Sequence, residues 1–309
     1  MINFLTNKEN SNIGLILIIS MIAINIILLI VFLFVLFKKP KQKYIDTDIS
    51  KYNSKYPIIL VHGMVLKDFK IYRAFRKIKD VLIDNGVKVY VSNIDGIGTI
   101  KNNAIQLKEE ILNILNKENS EKINIIAHSK GGLDSKYMIE NLGMEENVAT
   151  LTTLCTPHRG SIVASLIMKW PRWLTKFIAF WIDFWYRIFG DKHPNSHKVC
   201  EQLQKKRDYE WLELDVHHKI YYQSFSSKID DKIEDFVMGI PYLISRKYEE
   251  DETDGLVSKS SAMFGHYKGS IEGSISHSEI VDFMTSKSKK EQVYGFYIEL
   301  CTDLKQRGF

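Results

Sequence analysis

The sequence predicts an α/β fold: a mostly parallel sheet with helices on both faces. Along residues 56–309, short runs rich in Ile and Val alternate with amphipathic segments, which is the pattern of strand–helix units. One of these runs, Ile58-Ile59-Leu60-Val61, is apolar throughout rather than alternating with polar residues. Strands buried on both faces of a parallel sheet read that way. In addition, one run leads directly into a serine flanked by small residues and then into a helix. Right-handed crossovers with the helices packed on the sheet follow from such an order.

At 309 residues the chain is long enough to bury a sizeable core, and 45% hydrophobic with 26% charged residues describes a globular protein. The net charge of +5 is modest and the lysines are scattered, so no nucleic-acid footprint is present. Cys155, Cys200 and Cys301 lie far apart, without metal-ligand spacing, and read as small neutral residues rather than a disulfide framework.

After a tail at 1–12, residues 13–37 are almost wholly aliphatic or aromatic, interrupted only by Gly14, Ser20 and Asn25. At ~1.5 Å rise per residue, such a run spans a ~30 Å hydrocarbon core. It is too long for the apolar region of a cleaved signal and no small-x-small site follows, so it is expected to be a retained transmembrane anchor. Lys38, Lys39, Lys41 and Lys43 follow it, whereas only Lys8 precedes it, offset by Glu9. The positive-inside tendency then puts the domain of a single-pass membrane protein on the cytoplasmic side. Residues 38–55, polar and tyrosine-dotted, read as a tether to a domain at 56–309.

Within that domain, residues 58–61 form a first strand, and helical spacing over 71–83 ends at Gly86, where a C-cap glycine belongs. Residues 87–91 are a second strand. An amphipathic helix over 104–115 presents Ile105, Leu107, Ile111, Leu112 and Leu115. Strands follow at 123–127, 148–154 and 220–225, with helices at 131–141 and 291–304. An aromatic stretch within 161–205 breaks the alternation as an insertion: Trp170, Trp173, Phe177, Phe180, Trp181, Phe184, Trp185, Tyr186 and Phe189 recur at helical spacing.

The chemistry concentrates at Ala127-His128-Ser129-Lys130-Gly131-Gly132. A strand-to-helix turn this tight leaves room only for small residues on either side of the serine, and it lifts the hydroxyl clear of the sheet at a helix N-terminus. Ala127 stands where the usual G-x-S-x-G pattern has its first glycine, a departure in letter that preserves the steric logic. Acyl transfer also needs donors aimed at the oxyanion. Those expected are the backbone N–H groups of Lys130 and of Met64, which ends His62-Gly63-Met64; His62 itself reads as a loop-organising residue. A base and an acid must follow in the order Ser, acid, His. His128 adjoins the nucleophile and is expected to point away from it. His158, His193 and His197 fall before or inside the insertion, and His217 and His218 precede the fifth strand, leaving His266 and His277. Asp254, in a turn before Gly255, is the candidate acid, while Asp251 and Glu252 read as a solvated loop. The loose Asp191, His193, His197 and Cys200 spacing matches no metal motif and reads as a hinge loop.

With Leu154-Cys155-Thr156-Pro157-His158-Arg159-Gly160-Ser161, Asp254-Gly255-Leu256-Val257 and Ser276-His277-Ser278-Glu279 in the same order, residues 56–282 resemble the bacterial triacylglycerol lipases of the α/β-hydrolase superfamily. The resemblance implies a triad of Ser129, Asp254 and His277, choosing His277 over His266. It implies that the insertion at 161–205 is lid-like, with Trp170, Trp173, Phe177, Trp181, Phe184 and Trp185 at the lid and substrate. Some members hold a structural calcium through an aspartate two residues beyond the histidine; here that position is Glu279, so no metal ligand is assigned and no cofactor is required. The expected activity is that of a membrane-anchored serine lipase or esterase, meeting lipid or other ester substrates at the bilayer. The alternatives are a lipid acyltransferase or phospholipase on the same triad, or a non-catalytic membrane adaptor. Oligomeric state is not legible.

Overall fold

A computed structural model describes residues 52–64, 75–205, 219–230, 238–249, 251–283 and 285–309. The six strands are β1 (Ile58–Val61), β2 (Val89–Val91), β3 (Ile123–His128), β4 (Val148–Leu154), β5 (Tyr221–Ser226) and β6 (His266–Ser270). They form one sheet in the order β2-β1-β3-β4-β5-β6, and every adjacent pair is parallel. The helices used below are α1 (Arg76–Asp84), α2 (Ile100–Glu118), α3 (Lys130–Asn141), α4 (Ile162–Ile167), α5 (Arg172–Ile188), α6 (Ser196–Gln202), α7 (Gly239–Tyr248), α8 (Lys259–Ala262) and α9 (Lys287–Gln306).

The period of two along a strand assigns its side chains to opposite faces. In β1, Ile58 and Leu60 join a cluster with Ile78 and Leu82 of α1 and Val293, Tyr297 and Leu300 of α9. Ile59 and Val61 join Ala104, Leu107 and Ile111 of α2 with Met138 and Ile139 of α3 on the other face. All four β1 residues are fully buried. At about 1.5–3 kcal/mol for each such side chain, this central strand anchors both layers.

Helix α2 starts where Thr99 accepts a hydrogen bond from the Asn102 amide at 3.3 Å and ends at Asn119 in the left-handed region. That N-cap extends it beyond the expected 104–115. Helix α9 likewise exceeds 291–304 at both ends. Of the expected helix at 71–83, positions 71–74 lie outside the described residues, and α1 occupies the rest.

Strand β6 was not legible: His-Tyr-Lys-Gly-Ser is polar and largely exposed, because it sits at the sheet edge with one neighbour. The insertion is three helices, since Pro171 opens α5 and Asn195 caps α6 through its side chain.

The expected single-pass membrane localisation requires correction. Among the described residues no helix is long and apolar enough to cross a membrane. The longest, α2 and α9, carry charged residues along much of their length. The expected tail at 1–12, the anchor at 13–37 and residues 38–51 of the tether lie outside the described residues.

The topology fixes where a site can form. From β1 the chain moves outward to β2, then crosses back over β1 to β3 and proceeds the other way. The carboxyl ends of β1 and β3 therefore flank a topological switch point, where loops diverge and leave a crevice. His62-Gly63-Met64 and Ser129 follow those two strand ends.

Candidate active site

Ser129 stands between β3 and α3 with φ 54° and ψ −132°. A non-glycine residue there is strained by roughly 1–3 kcal/mol and persists only where the surroundings over-determine it. Here they do: the Ser129 amide donates to the Leu154 carbonyl at 2.9 Å, and the Ser129 carbonyl accepts from the Gly132 amide at 3.0 Å. Space is equally restricted. A Cβ on Gly63 would lie 2.6 Å from the Ser129 Cβ, and one on Gly131 would lie 2.5 Å from the His62 carbonyl oxygen. The need for small residues around the serine thus extends to Gly63, a role that its place in the preceding loop did not reveal.

The three residues expected to form a triad come together. His277 Nε2 lies 2.9 Å from Ser129 Oγ, and His277 Nδ1 lies 2.6 Å from Asp254 Oδ2. With the carboxylate accepting from Nδ1–H, Nε2 is left as acceptor for the serine hydroxyl. All three are buried. Asp254 is held by its other oxygen, which accepts from the Leu256 and Val257 amides at 2.9 and 2.7 Å. The His277 amide donates to the Asp254 carbonyl at 2.9 Å, tying acid and base through their main chains.

The Thr156-Pro157-His158-Arg159-Gly160-Ser161 segment fastens the acid's loop to the sheet. Ser161 Oγ donates to the Leu256 carbonyl at 2.8 Å, the His158 amide to the Ser261 carbonyl at 3.0 Å, and Arg159 Nη1 to the Met263 carbonyl at 2.8 Å. His158 is buried, stacked on Phe264, with Nε2 3.1 Å from Thr153 Oγ1. Burial pushes that imidazole well below its usual range, so it is a neutral strut. His266 lies in β6, stacked on Tyr221 and away from the serine's partners.

Of the two expected oxyanion donors, Lys130 opens α3, so its N–H is among the helix-start amides that lack an intrahelical acceptor. Met64 lines the same cavity as Ser129. The Lys130 side chain points inward and is fully buried, its Nζ 2.8 Å from both Asp134 oxygens. Burial lowers the lysine and lifts Asp134 to about 6 against the pull of Lys130. Asn103 Nδ2 donates to Asp134 at 3.1 Å and to the Asp95 carbonyl at 2.8 Å. Asp95 in turn accepts from the Lys192 and His193 amides, and Asp191 from the Gly96 and Ile97 amides. The stretch read as a hinge loop is therefore anchored by carboxylates.

A cavity of about 300 Å³ opens beside Ser129. Its walls are aliphatic, with Val163, Ala164 and Ile167 of α4 facing Ile178, Ala179 and Ile182 of α5. Of the six aromatic residues expected at the lid and substrate, only Trp170 lines it. Trp173, Phe177 and Phe184 are exposed, and Trp181 and Trp185 are half-buried among their ring neighbours. The helical period was legible, but which stripe faces inward is set by volume: Thr175 and Ala179 are the buried, close-packing residues of α5.

Glu279, at the position where some lipases carry a calcium-binding aspartate, is bonded within the protein. Its Oε2 accepts from the Ser276 amide and from Lys289 Nζ, both at 3.0 Å, so an ammonium already balances the carboxylate. Among the described residues no group of three or more His, Cys, Asp or Glu is arranged to hold a metal ion.

This fold and this residue set define an α/β-hydrolase. Residues 57–229, more than half the chain, match the family profile described as palmitoyl protein thioesterase, and the chain belongs to that family within the lipases of the superfamily. It is 25% identical over 260 residues to triacylglycerol lipase 2 of Saccharomyces cerevisiae, covering 75% of this chain and 73% of that one. It is 34% identical over 155 residues to a triacylglycerol lipase of Pseudarthrobacter phenanthrenivorans, covering 47% of each. The chain thus spans most of the yeast relative but about half of the bacterial one. Among solved structures, a metagenomic carboxyl esterase superposes with a TM-score of 0.61 at 16% identity, covering 85% of this chain and 80% of that one. The mature Bacillus licheniformis lipase gives 0.60 at 20% identity, covering 85% and 96%. At those identities the likeness is one of fold.

The steric reading of Gly63 has a direct consequence. Gly63→Ala is expected to leave the protein folded but to lower kcat about 100-fold, the cost of displacing a reacting atom by about 1 Å. Turnover within twofold of wild type, measured beside an unchanged Tm, would contradict it.

Proposed function

We propose that the chain is a serine carboxylic ester hydrolase of the lipase/esterase type, working through an acyl-enzyme on Ser129. The observation that carries this reading is the continuous hydrogen-bond chain from Ser129 through His277 to Asp254. His277 Nε2 accepts the hydroxyl proton as Ser129 Oγ attacks the ester carbonyl carbon. The oxyanion is met by the N–H groups of Lys130 and Met64. Asp254 stabilises the imidazolium and holds its tautomer without itself taking the proton. His277 then gives the proton to the leaving alkoxide, and the alcohol departs. A water molecule, deprotonated by the same nitrogen, attacks the acyl carbonyl; the carboxylic acid leaves and Ser129 Oγ regains its proton.

The cavity of about 300 Å³ supports an apolar acyl group as the substrate's bound half. The family description and the named activities of the relatives support an ester or thioester of a fatty acid, since both present the same kind of acyl carbonyl to Ser129. Interception of the acyl-enzyme by an alcohol instead of water would make the same site an acyltransferase, and product analysis with alcohol acceptors separates the two. No metal enters this reading.

Ser129→Ala is expected to abolish hydrolysis of p-nitrophenyl esters. Asp254→Asn is expected to lower kcat by about 10⁴ with the fold retained, because the imidazole then adopts the wrong tautomer. Retention of ester turnover by the alanine variant would end the proposal.

Helix α5 is proposed as the lid. Its inner stripe closes the cavity while Trp173 and Phe180, 68% and 63% exposed, offer an aromatic face to aggregated lipid. Replacing both with Ser is expected to lower turnover of emulsified triglyceride about tenfold while leaving a soluble short-chain ester unaffected, an interfacial effect that scales with buried apolar area. Equal losses on both substrates would mean that the two rings serve folding instead.

A further inference from the structure

His128 is the buried polar group that the mechanism above leaves unused. Its ring is buried, and neither Nδ1 nor Nε2 has a hydrogen-bond partner. Buried imidazoles are ordinarily bonded through at least one nitrogen, so an orphaned one needs an explanation. Its neighbour supplies one: the His128 ring centroid is 4.6 Å from that of His277, with the planes tilted by 48°. His277 is thereby enclosed on three sides, by Asp254 at Nδ1, Ser129 at Nε2 and His128 across its ring.

We propose that His128 is a positioning residue for the base: an aromatic wall that holds the His277 imidazole over Ser129 and keeps water from its ring. The inference rests on the hydrolase reading above. What His128 contributes to the His277 side chain is ring surface, since the two rings pack together at a tilt and both nitrogens of His277 are taken by Ser129 and Asp254. During proton transfer His277 becomes a cation, and a neutral neighbour does not repel it as a second cation would. Burial first, and then the adjacent His277 and His62, hold the His128 imidazole well below its usual range, so it remains neutral. The groups facing the pair are therefore Asp254 and Ser129 around His277 and His62 around His128. The place of His128 in the chain makes this contact automatic: β3 delivers it one residue before the strained Ser129, so the two side chains leave the strand in different directions.

The test compares His128→Phe, which keeps a ring face, with His128→Gln and His128→Ala, which do not. The readouts are kcat, KM, the pH profile of kcat/KM and the rate of Ser129 labelling by a fluorophosphonate. The phenylalanine variant is expected to stay within about threefold of wild type, whereas glutamine and alanine lose at least about tenfold in kcat with KM little changed, the signature of a mispositioned base. In the glutamine and alanine variants the acidic limb of the profile is expected to move to higher pH. Water reaching the ring stabilises the protonated base, which must then be deprotonated at higher pH before it works. A purely structural role would lower the amount of active protein without moving that limb.

Glutamine indistinguishable from phenylalanine, phenylalanine as slow as alanine, or an acidic limb unmoved in the glutamine variant would each overturn the proposal. If the alanine variant fails to fold by circular dichroism, the phenylalanine–glutamine pair decides alone. Wild-type protein that is not labelled at Ser129 would remove the hydrolase reading and this inference with it. Wild-type labelling with indifferent variants would remove only the inference.

Discussion

The site depends on one backbone constraint, the positive φ of Ser129. An extended serine would continue β3 and bury its hydroxyl in the sheet. A helical one would turn it into α3. The intermediate conformation costs roughly 1–3 kcal/mol and is held by the Leu154 carbonyl on one side and the Gly132 amide on the other. Because the turn is so tight, the neighbouring backbone must come close, and Gly63 and Gly131 are the positions where a side chain cannot be accommodated. The strain, the packing of two glycines and the opening of α3 at Lys130 are one feature seen from three directions.

Asp254 and His277 share a main-chain hydrogen bond, and the loop of Asp254 is fastened to the segment after β4 by Ser161, His158 and Arg159. Beneath the serine, the buried Lys130–Asp134 pair is satisfied through Asn103, and the same network reaches the corner after α5 by way of Asp95 and Asp191. A buried ion pair specifies geometry more than it adds stability; losing one partner strands the other charge at a cost of about 3–5 kcal/mol. By contrast, the outer face of α5 is aromatic and exposed, with no comparable polar anchoring.

Much of this was legible from residue order. The apolar runs identified β1, β3 and β4 because buried parallel strands carry no alternation, and Ser129, Asp254 and His277 followed from the strand–turn–helix context, the Asp-Gly turn and the likeness to lipases. What escaped had weak or ambiguous local signals. Strand β6 is polar because it lies at an edge, and the inward stripe of α5 depends on small residues that a periodicity count cannot separate from its aromatic neighbours. His128 was expected to point away from the nucleophile; that its ring packs against His277, 149 positions along the chain, is a contact that no local pattern encodes. The membrane-spanning expectation rested on the length of the apolar run at 13–37, which lies outside the described residues, and the described helices offer it no support.

The account stands most directly on a covalent intermediate. Mixing the protein with p-nitrophenyl hexanoate, quenching in acid within the first turnover and analysing its peptides by mass should reveal a hexanoyl adduct on the peptide carrying Ser129. An adduct on any other residue, or release of nitrophenol with no acylated peptide at any quench time, would contradict it.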